Sequence, residues 1–392
     1  MRNSRTLMIE SILFWLAAAT VAGFALAFVE LARGGRSLGV LHLLPPADAA
    51  TMPSVSIVIA ARNEERGIEP ALRSVLNQQG EHIEVIVVDD RSDDSTGAIL
   101  DRMAAENRRL HVVHVTALPA GWLGKNHALW LGAAAARGEL LLFTDADVVM
   151  KPDTILRAAG YLQREGLDHL TVAPRVIMPG AVLKAFGVVF TIMFSFFTRP
   201  WRARDPRSRA HIGIGAFNLV RADTYRRIGT HQAIAMRPDD DLKLGKLVKK
   251  NGGVQEMVIG AELVSVEWYH SVREAVRGLR KNGFAGLDYR LWLVIAVTIA
   301  HLLFFIWPFA AVWVTDGWTR ILYAVAVGIL LMMYAGSAAA QGSPVWHGVL
   351  WPFASAMFIF VIWNATIYAL VNRGIEWRGT HYPLDELRAN RV

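Results

Sequence analysis

Apolar and polar positions alternate along this chain on two different scales. On the longer scale, four stretches run almost wholly apolar: residues 9–31, 291–314, 318–340 and 346–371. At 1.5 Å per helical residue, each is long enough to cross about 30 Å of hydrocarbon. The first carries only Glu10 and Glu30, near its ends, and exceeds the usual 7 to 15 residues or so of a secretory h-region, so residues 1–35 read as a membrane anchor. The other three form a C-terminal bundle over residues 289–372, and Trp292, Trp307, Trp313, Trp318, Trp346 and Trp351 mark their ends as an interfacial belt would. A fifth stretch, 181–197, has Lys184 as its one charge and is followed by Arg199, Arg202 and Arg204. It reads either as a helix lying in the membrane interface or as a buried core helix.

On the shorter scale, residues 53–285 show brief β-branched runs separated by helical periodicity. VSIVIAA (55–61), EVIVVDD (84–90), residues 111–115 and residues 139–144 read as strands, and 68–77, 94–106 and 124–136 as helices. Continuous apolar runs are the composition of strands buried on both faces, and strand-helix alternation predicts an α/β domain with a mostly parallel sheet. Residues 41–52, with two prolines, read as a linker, and residues 373–392 as a polar tail.

Composition supports the membrane reading. Of 392 residues, 53% are apolar, and the mean hydropathy is +0.31, high for a soluble chain of this size. The net charge of +7 is scattered near apolar segments and forms no basic tract, which favours anionic lipid and an anionic small substrate over nucleic acid. The chain has no cysteine, which excludes disulfides, zinc-thiolate sites and thiol nucleophiles.

Ligands of parallel sheets bind at the carboxyl ends of the strands, and there the acidic residues fall: Glu64 after the first strand, Asp89 and Asp90 ending the second, Asp145 and Asp147 after the fourth. Converging carboxylates raise one another's pKa unless a cation or hydrogen-bond donors stabilise them, so a metal-dependent site is expected. Neither a P-loop nor a GxGxxG fingerprint is present, so a nucleotide would be held by other means. Asn63, Glu64 and Asp89 or Asp90 are placed to meet a base and ribose, and Lys125, at a helix start, to meet a phosphate.

AARNEE (60–65), EVIVVDDRSDDST (84–96), GWLGKNHAL (121–129) and LLFTDADV (141–148), in this order, resemble the family 2 inverting glycosyltransferases with the GT-A fold. GAFNLVRADTYRRIG (215–229) and RPDDDLKLG (237–245) extend the resemblance, which covers about residues 53–290. GWLGK, DPRSRA (205–210) and WRGTHY (377–382) resemble the hopene-associated and carotenoid-type members of its membrane-bound bacterial branch. The resemblance implies that Glu64 and Asp90, with Asp89 beside them, seat a uridine. It implies that Asp145 and Asp147 form a DxD motif holding Mn or Mg against the diphosphate of a nucleotide sugar. It also places the acidic pair at Asp240 and Asp241, with Asp241 as general base. The implied activity is non-processive hexosyl transfer to a lipid-type acceptor at the bacterial inner membrane, with the catalytic domain cytoplasmic. The chain has Arg277-Gly278-Leu279-Arg280-Lys281 where polymer-forming members carry QxxRW, which argues against polysaccharide synthesis. Gly229-Thr230 departs from the usual glycine pair beside His231, and His270 reads equally as a site or a structural residue.

Two rival classes stand beside this reading. A nucleotidyl or phosphoryl transferase would need a basic triphosphate loop where this chain has ARNEERG, and a non-catalytic membrane scaffold would be expected to lose Asp147 or Asp241. Arg273, Arg277, Arg280, Lys281 and Arg290 before the second apolar stretch fit a cytoplasmic catalytic domain. Three full C-terminal crossings would then leave Arg373, Arg378, Arg388 and Arg391 outside, so either the charge bias is overridden or one segment is re-entrant.

Overall fold

The computed structural model describes residues 4–392, with side chains from residue 8 onward. Two compact units interleave along the chain: one comprises residues 37–177, 198–268 and 369–392, the other 1–36, 178–197 and 269–368.

The first unit is an α/β domain. Its strands are β1 (Gly39–Val40), β2 (Val55–Ala61), β3 (Ile83–Asp90), β4 (Leu110–Val115), β5 (Leu140–Asp145), β6 (Val149–Met150), β7 (His169–Ala173), β8 (Arg175–Ile177), β9 (Asn218–Arg221), β10 (Gln255–Ile259) and β11 (Val264–Glu267). Eight form one sheet in the order β1-β10-β7-β9-β5-β2-β3-β4. All neighbours are parallel except β9, which runs antiparallel between β5 and β7. β6, β11 and β8 make a small second sheet.

The central strands are buried along nearly their whole length, as their unbroken apolar runs require. Helices cover the sheet by their apolar stripes. In α2 (Ile68–Leu76), following α1 (Ser4–Ser37), residues Ile68, Ala71, Leu72 and Val75 recur at helical spacing and are all buried. α3 (Thr96–Glu106), α4 (Gly124–Ala135) and α5 (Thr154–Arg164) complete the crossovers. Part of the expected linker is ordered: Leu41 is fully buried in the core, and β1 extends the sheet along β10.

Residues 373–392, read from sequence as a polar tail, fold onto this same unit. β12 (Gly374–Trp377) and β13 (Thr380–Pro383) pair as a hairpin, followed by a short helix, Leu384–Ala389. Asn390 accepts the Met236 N–H at 3.0 Å, and Lys246 donates to the Val392 carbonyl at 2.7 Å.

The second unit is helical and contains α1 and α6 (Gly180–Thr198). Among the described residues, five helical segments are long and apolar enough to cross a membrane: Met8–Ser37, Gly180–Arg202, Leu291–Val314, Gly317–Ala340 and Val345–Val371. Residues 181–197, read from sequence as either an interfacial or a buried core helix, lie within α6. α6 buries Ala185, Val188, Val189 and Ile192 in a cluster with Phe24, Leu330 and Trp351 of the helical unit. The segment Leu291–Val314 is interrupted by a π-helical stretch at Leu302–Ile306, just before Pro308.

Candidate active site

The register of the sheet sets the geometry. Parallel pairing places Ala61 opposite Asp89 and Ala60 opposite Asp145, so both aspartates flank the carboxyl end of β2. Because β9 is antiparallel, its start lies at this same edge, with Asn218 opposite Phe143. Residues 211–217, which lead into β9, are thereby brought beside Asp145. α4 begins at this edge with Gly124 and Lys125, and α8 (Asp240–Lys250), which follows α7 (Ala222–Arg227), begins there with Asp240 and Asp241.

These elements converge on a small cleft lined by Lys125, Asp145, Gly215, His231, Asp240 and Asp241 among others. Lys125 Nζ lies 2.8 Å from Asp145 and 3.5 Å from Asp240. Desolvation opposes its charge, but the fields of Asp145, Asp240 and Asp241 outweigh that and hold the ammonium well above the ordinary lysine value. Asp241 accepts the Gly215 N–H at 2.7 Å and the Leu242 N–H at 2.7 Å. Burial first, then the charge of Asp240, push its carboxyl up from 3.8 to about 7. That rise amounts to about 4 kcal/mol against the ionised form. Asp239 belongs to a different arrangement: buried Arg237 grips it by two hydrogen bonds of 2.8 and 2.9 Å, which anchors the start of α8.

Glycine makes the convergence possible. A Cβ on Gly213 would overlap the Asp241 carbonyl, one on Gly245 would overlap the Ile212 carbonyl, and one on Gly215 would lie 2.6 Å from Asp145 Oδ2. The loop and the first turns of α8 therefore touch backbone to backbone. Asn218 holds the loop's other side by accepting the Ile214 N–H at 3.3 Å.

Asp147, one residue past Ala146, keeps an open side to solvent. Its carboxyl is nevertheless pushed up to about 7, by desolvation first and then by Asp145 and Glu64. Glu64 is also raised, by desolvation, with Arg378 opposing and Asp145 adding to the rise. Glu64, Asp145 and Asp147 thus feel one another's charge, as the sequence reading expects of a converging acidic edge.

The remaining expected residues stand in the rim of this edge, each with partners of its own. Both oxygens of Asp90 are taken by Arg91, at 2.7 and 3.0 Å. Asp89 accepts the Ser92 N–H at 3.3 Å and lies 3.0 Å from His114 Nδ1. Asn63, at φ 54°, accepts the Asp93 N–H at 3.0 Å and ties the β2–α2 loop to the β3–α3 loop. His270 is exposed and outside the cleft lining. His231, in contrast, is fully buried in the cleft floor. The Tyr225 hydroxyl accepts its backbone N–H at 3.1 Å and sits 2.7 Å from its Nδ1. Desolvation, then Lys125, lower it to about 3, so it is a neutral packing element.

Sequence reasoning overlooked Gly213, Tyr225 and Arg91. A G-x-G in HIGIGAF was the available signal, without the spacing of any phosphate loop.

Among the described residues, no group of three His, Asp or Glu side chains is arranged to hold a metal ion. The donor set nevertheless fits a hard divalent cation. Asp145 and Asp147 offer only oxygen, and Asp147 lies in a field that favours added positive charge. Mg-type sites commonly use one or two carboxylates and take further oxygens from substrate phosphates.

The chain is similar to known glycosyltransferases. The family model described as glycosyl transferase family 2 matches residues 56–229. A 4,4'-diaponeurosporenoate glycosyltransferase of Staphylococcus haemolyticus is 29% identical over 209 residues, covering 52% of this chain and 53% of that protein. A beta-monoglucosyldiacylglycerol synthase of Trichormus variabilis is 36% identical over 125 residues, covering 31% of this chain and 26% of that protein. These alignments span about half or less of the relatives' length. The mannosyltransferase PcManGT from Pyrobaculum calidifontis, solved in complex with GDP-Man and Mn2+, shares the fold with a TM-score of 0.54 at 19% identity, covering 92% of this chain and 99% of that one.

Proposed function

We propose that this chain, which carries a glycosyltransferase family 2 domain at residues 56–229, moves one sugar from a nucleoside-diphosphate sugar to a hydroxyl of a membrane lipid, with inversion. The observation that supports it most is the meeting of Lys125, Asp145, Asp240 and Asp241 in one cleft at the carboxyl edge of the sheet.

In this reading Asp241 takes the proton of the acceptor hydroxyl as that oxygen attacks the anomeric carbon. The bond from carbon to the diphosphate breaks, and its electron pair leaves with the phosphate oxygen. A raised carboxylate pKa suits a base working near neutral pH. Lys125, held between Asp145 and Asp240, presents its ammonium toward the anionic leaving group. Asp145 and Asp147 would hold a divalent Mn or Mg ion, which when bound supplies Lewis-acid stabilisation of the departing diphosphate. Glu64, with Asn63, Asp89 and Asp90 around it, forms the nucleoside side. The single-sugar character rests on the missing QxxRW, and the lipid acceptor on the five apolar helices and on the names of the carotenoid and glycolipid relatives.

Chain parity supports one membrane topology for this reading. Residues 37–177, 198–268 and 369–392 belong to one folded unit, so the chain returns to one side of the bilayer after α6 and again after residue 368. α6 therefore lies in or dips into one leaflet, and one of the three C-terminal segments does not cross fully. We assign that role to the segment Leu291–Val314, which is interrupted at Leu302–Ile306. In this reading the tail arginines Arg373, Arg378, Arg388 and Arg391 lie on the cytoplasmic side of the bacterial inner membrane, as the positive-inside rule favours.

The test is donor turnover. Purified protein with Mn2+, UDP- or GDP-sugars and a bacterial lipid extract should release the nucleoside diphosphate and make one lipid heavier by a single hexose, and EDTA should stop both. Release of pyrophosphate, or no consumption of any nucleotide sugar, would sink the reading.

A further inference from the structure

We propose that the C-terminal hairpin is a wall of the donor site and that Arg378 is a positioning residue for nucleotide binding, acting through Glu64. This rests on the donor-site reading above.

Four contacts carry it, and all join the hairpin to loops that form the site. Arg378 donates to the Glu64 carboxylate and, at 3.3 Å, to the Asn63 carbonyl. Thr380 accepts a hydrogen bond from Arg62 at 3.4 Å. The hydroxyl of Tyr382, which is only 5% exposed, accepts the Gly124 N–H at 3.2 Å, one residue before Lys125. The hairpin thus spans the β2–α2 loop and the first turn of α4, the two pieces of backbone that present Glu64 and Lys125.

The turn itself is strained where it touches the site. β12 and β13 are joined by Arg378 and Gly379 alone, at φ 50° and 73°, the arrangement of a type I′ turn. That turn wants Asn-Gly or Gly-Gly, because an L side chain at positive φ crowds its own backbone. Arginine is an unfavourable choice for the turn, and its one visible return is the grip on Glu64 and Asn63. Asn63 and Arg91 are also left-handed, at φ 54° and 57°, so three strained non-glycine residues border the same edge. Strain of this kind persists where the surroundings hold it in place.

Glu64 needs such a partner. It is partly desolvated and, to a smaller degree, lies in the field of Asp145 and Asp94, so without a cation it is less able to stay ionised and to accept hydrogen bonds from a nucleoside. Arg378 fixes both the charge and the direction of that carboxylate.

The structural and functional roles of Arg378 pull in opposite directions under Arg378→Gly. A mere turn residue replaced by glycine leaves binding untouched, and the melting temperature holds or rises because positive φ becomes unstrained. A positioning residue gives the same holding or rising melting temperature, but the Kd for UDP with Mn2+, or for GDP if that is the nucleotide bound, weakens by about ten-fold, the scale of one charge-assisted hydrogen bond. The donor KM should rise in step with little change in kcat. Arg378→Asn, also tolerant of positive φ, repeats the test should the glycine variant unfold. In the double variant with Glu64→Gln, the loss should be no greater than in Glu64→Gln alone. Unchanged nucleotide affinity in Arg378→Gly, or losses that add in the double variant, overturn the proposal. If the wild type binds neither nucleoside diphosphate, the donor-site reading itself fails. If the wild type binds and Asp147→Asn weakens it while Arg378→Gly does not, only the hairpin proposal fails.

Discussion

Asp241→Asn is expected to lower kcat by about 10³-fold while leaving nucleoside diphosphate affinity within about two-fold. The size follows from what a positioned general base contributes, about 10²- to 10⁴-fold. The selectivity follows from position, because Asp241 is fixed by the Gly215 and Leu242 N–H groups in the cleft, and an amide oxygen can accept the Gly215 bond almost as well. The same residue predicts the pH profile. With its carboxyl pushed up to about 7 by burial and Asp240, kcat/KM should fall about ten-fold per pH unit below that value, where an ordinary aspartate would hold the rate to about pH 4. The stability of the ligand-free protein should run the other way. A carboxyl raised in the folded state binds its proton more tightly there than in the unfolded chain. Its contribution is therefore greatest below about pH 4 and is lost as pH rises to about 7. An acid limb near 4, or an Asp241→Asn variant with wild-type turnover, would remove Asp241 from the role.

Gly213→Ala is the second large effect, and it comes from a residue with no chemistry of its own. The added methyl would overlap the Asp241 carbonyl, a backbone atom that no rotamer change can move aside. Either the loop or the start of α8 must shift, at a cost of about 1–3 kcal/mol for overpacking. A displacement of about 1 Å at catalytic groups costs about 10²-fold in rate. We expect kcat to fall about 100-fold with the protein still folded at 25 °C. Gly328→Ala, where a Cβ meets nothing within 4 Å, should be silent in the same assay. Full activity in Gly213→Ala would mean that backbone contact between loop and helix does not set the site.

The sheet was legible because burial on both faces leaves a strong mark: VSIVIAA and LLLFTD have no polar alternation to confuse the reading. The acidic edge was legible for the same reason, since strand ends locate it. What escaped was short or was made by packing. β1 has two residues and forms only because β10 offers an open edge. The hairpin strands have four residues each and meet through an Arg-Gly turn, so no turn signal announced them, and the tail read as solvated. Gly213 and Gly245 are ordinary glycines until the fold brings a carbonyl against each. The DAD run behaved differently. Its spacing alone favoured a solvated turn, and the other acidic strand ends moved the reading toward a metal pair; the register of β2 with β5, with the loop before β9 beside it, puts Asp145 at the head of a cleft.

Under the proposed function, Asp145 and Asp147 hold a divalent ion against a nucleotide diphosphate. This is tested most directly by titrating Mn2+ into the purified protein with and without UDP or GDP. Mn2+ should bind weakly alone, at least about ten-fold tighter with the nucleotide present, and Asp147→Asn should lose that enhancement. Mn2+ affinity that is indifferent to the nucleotide, or unchanged in Asp147→Asn, would contradict it.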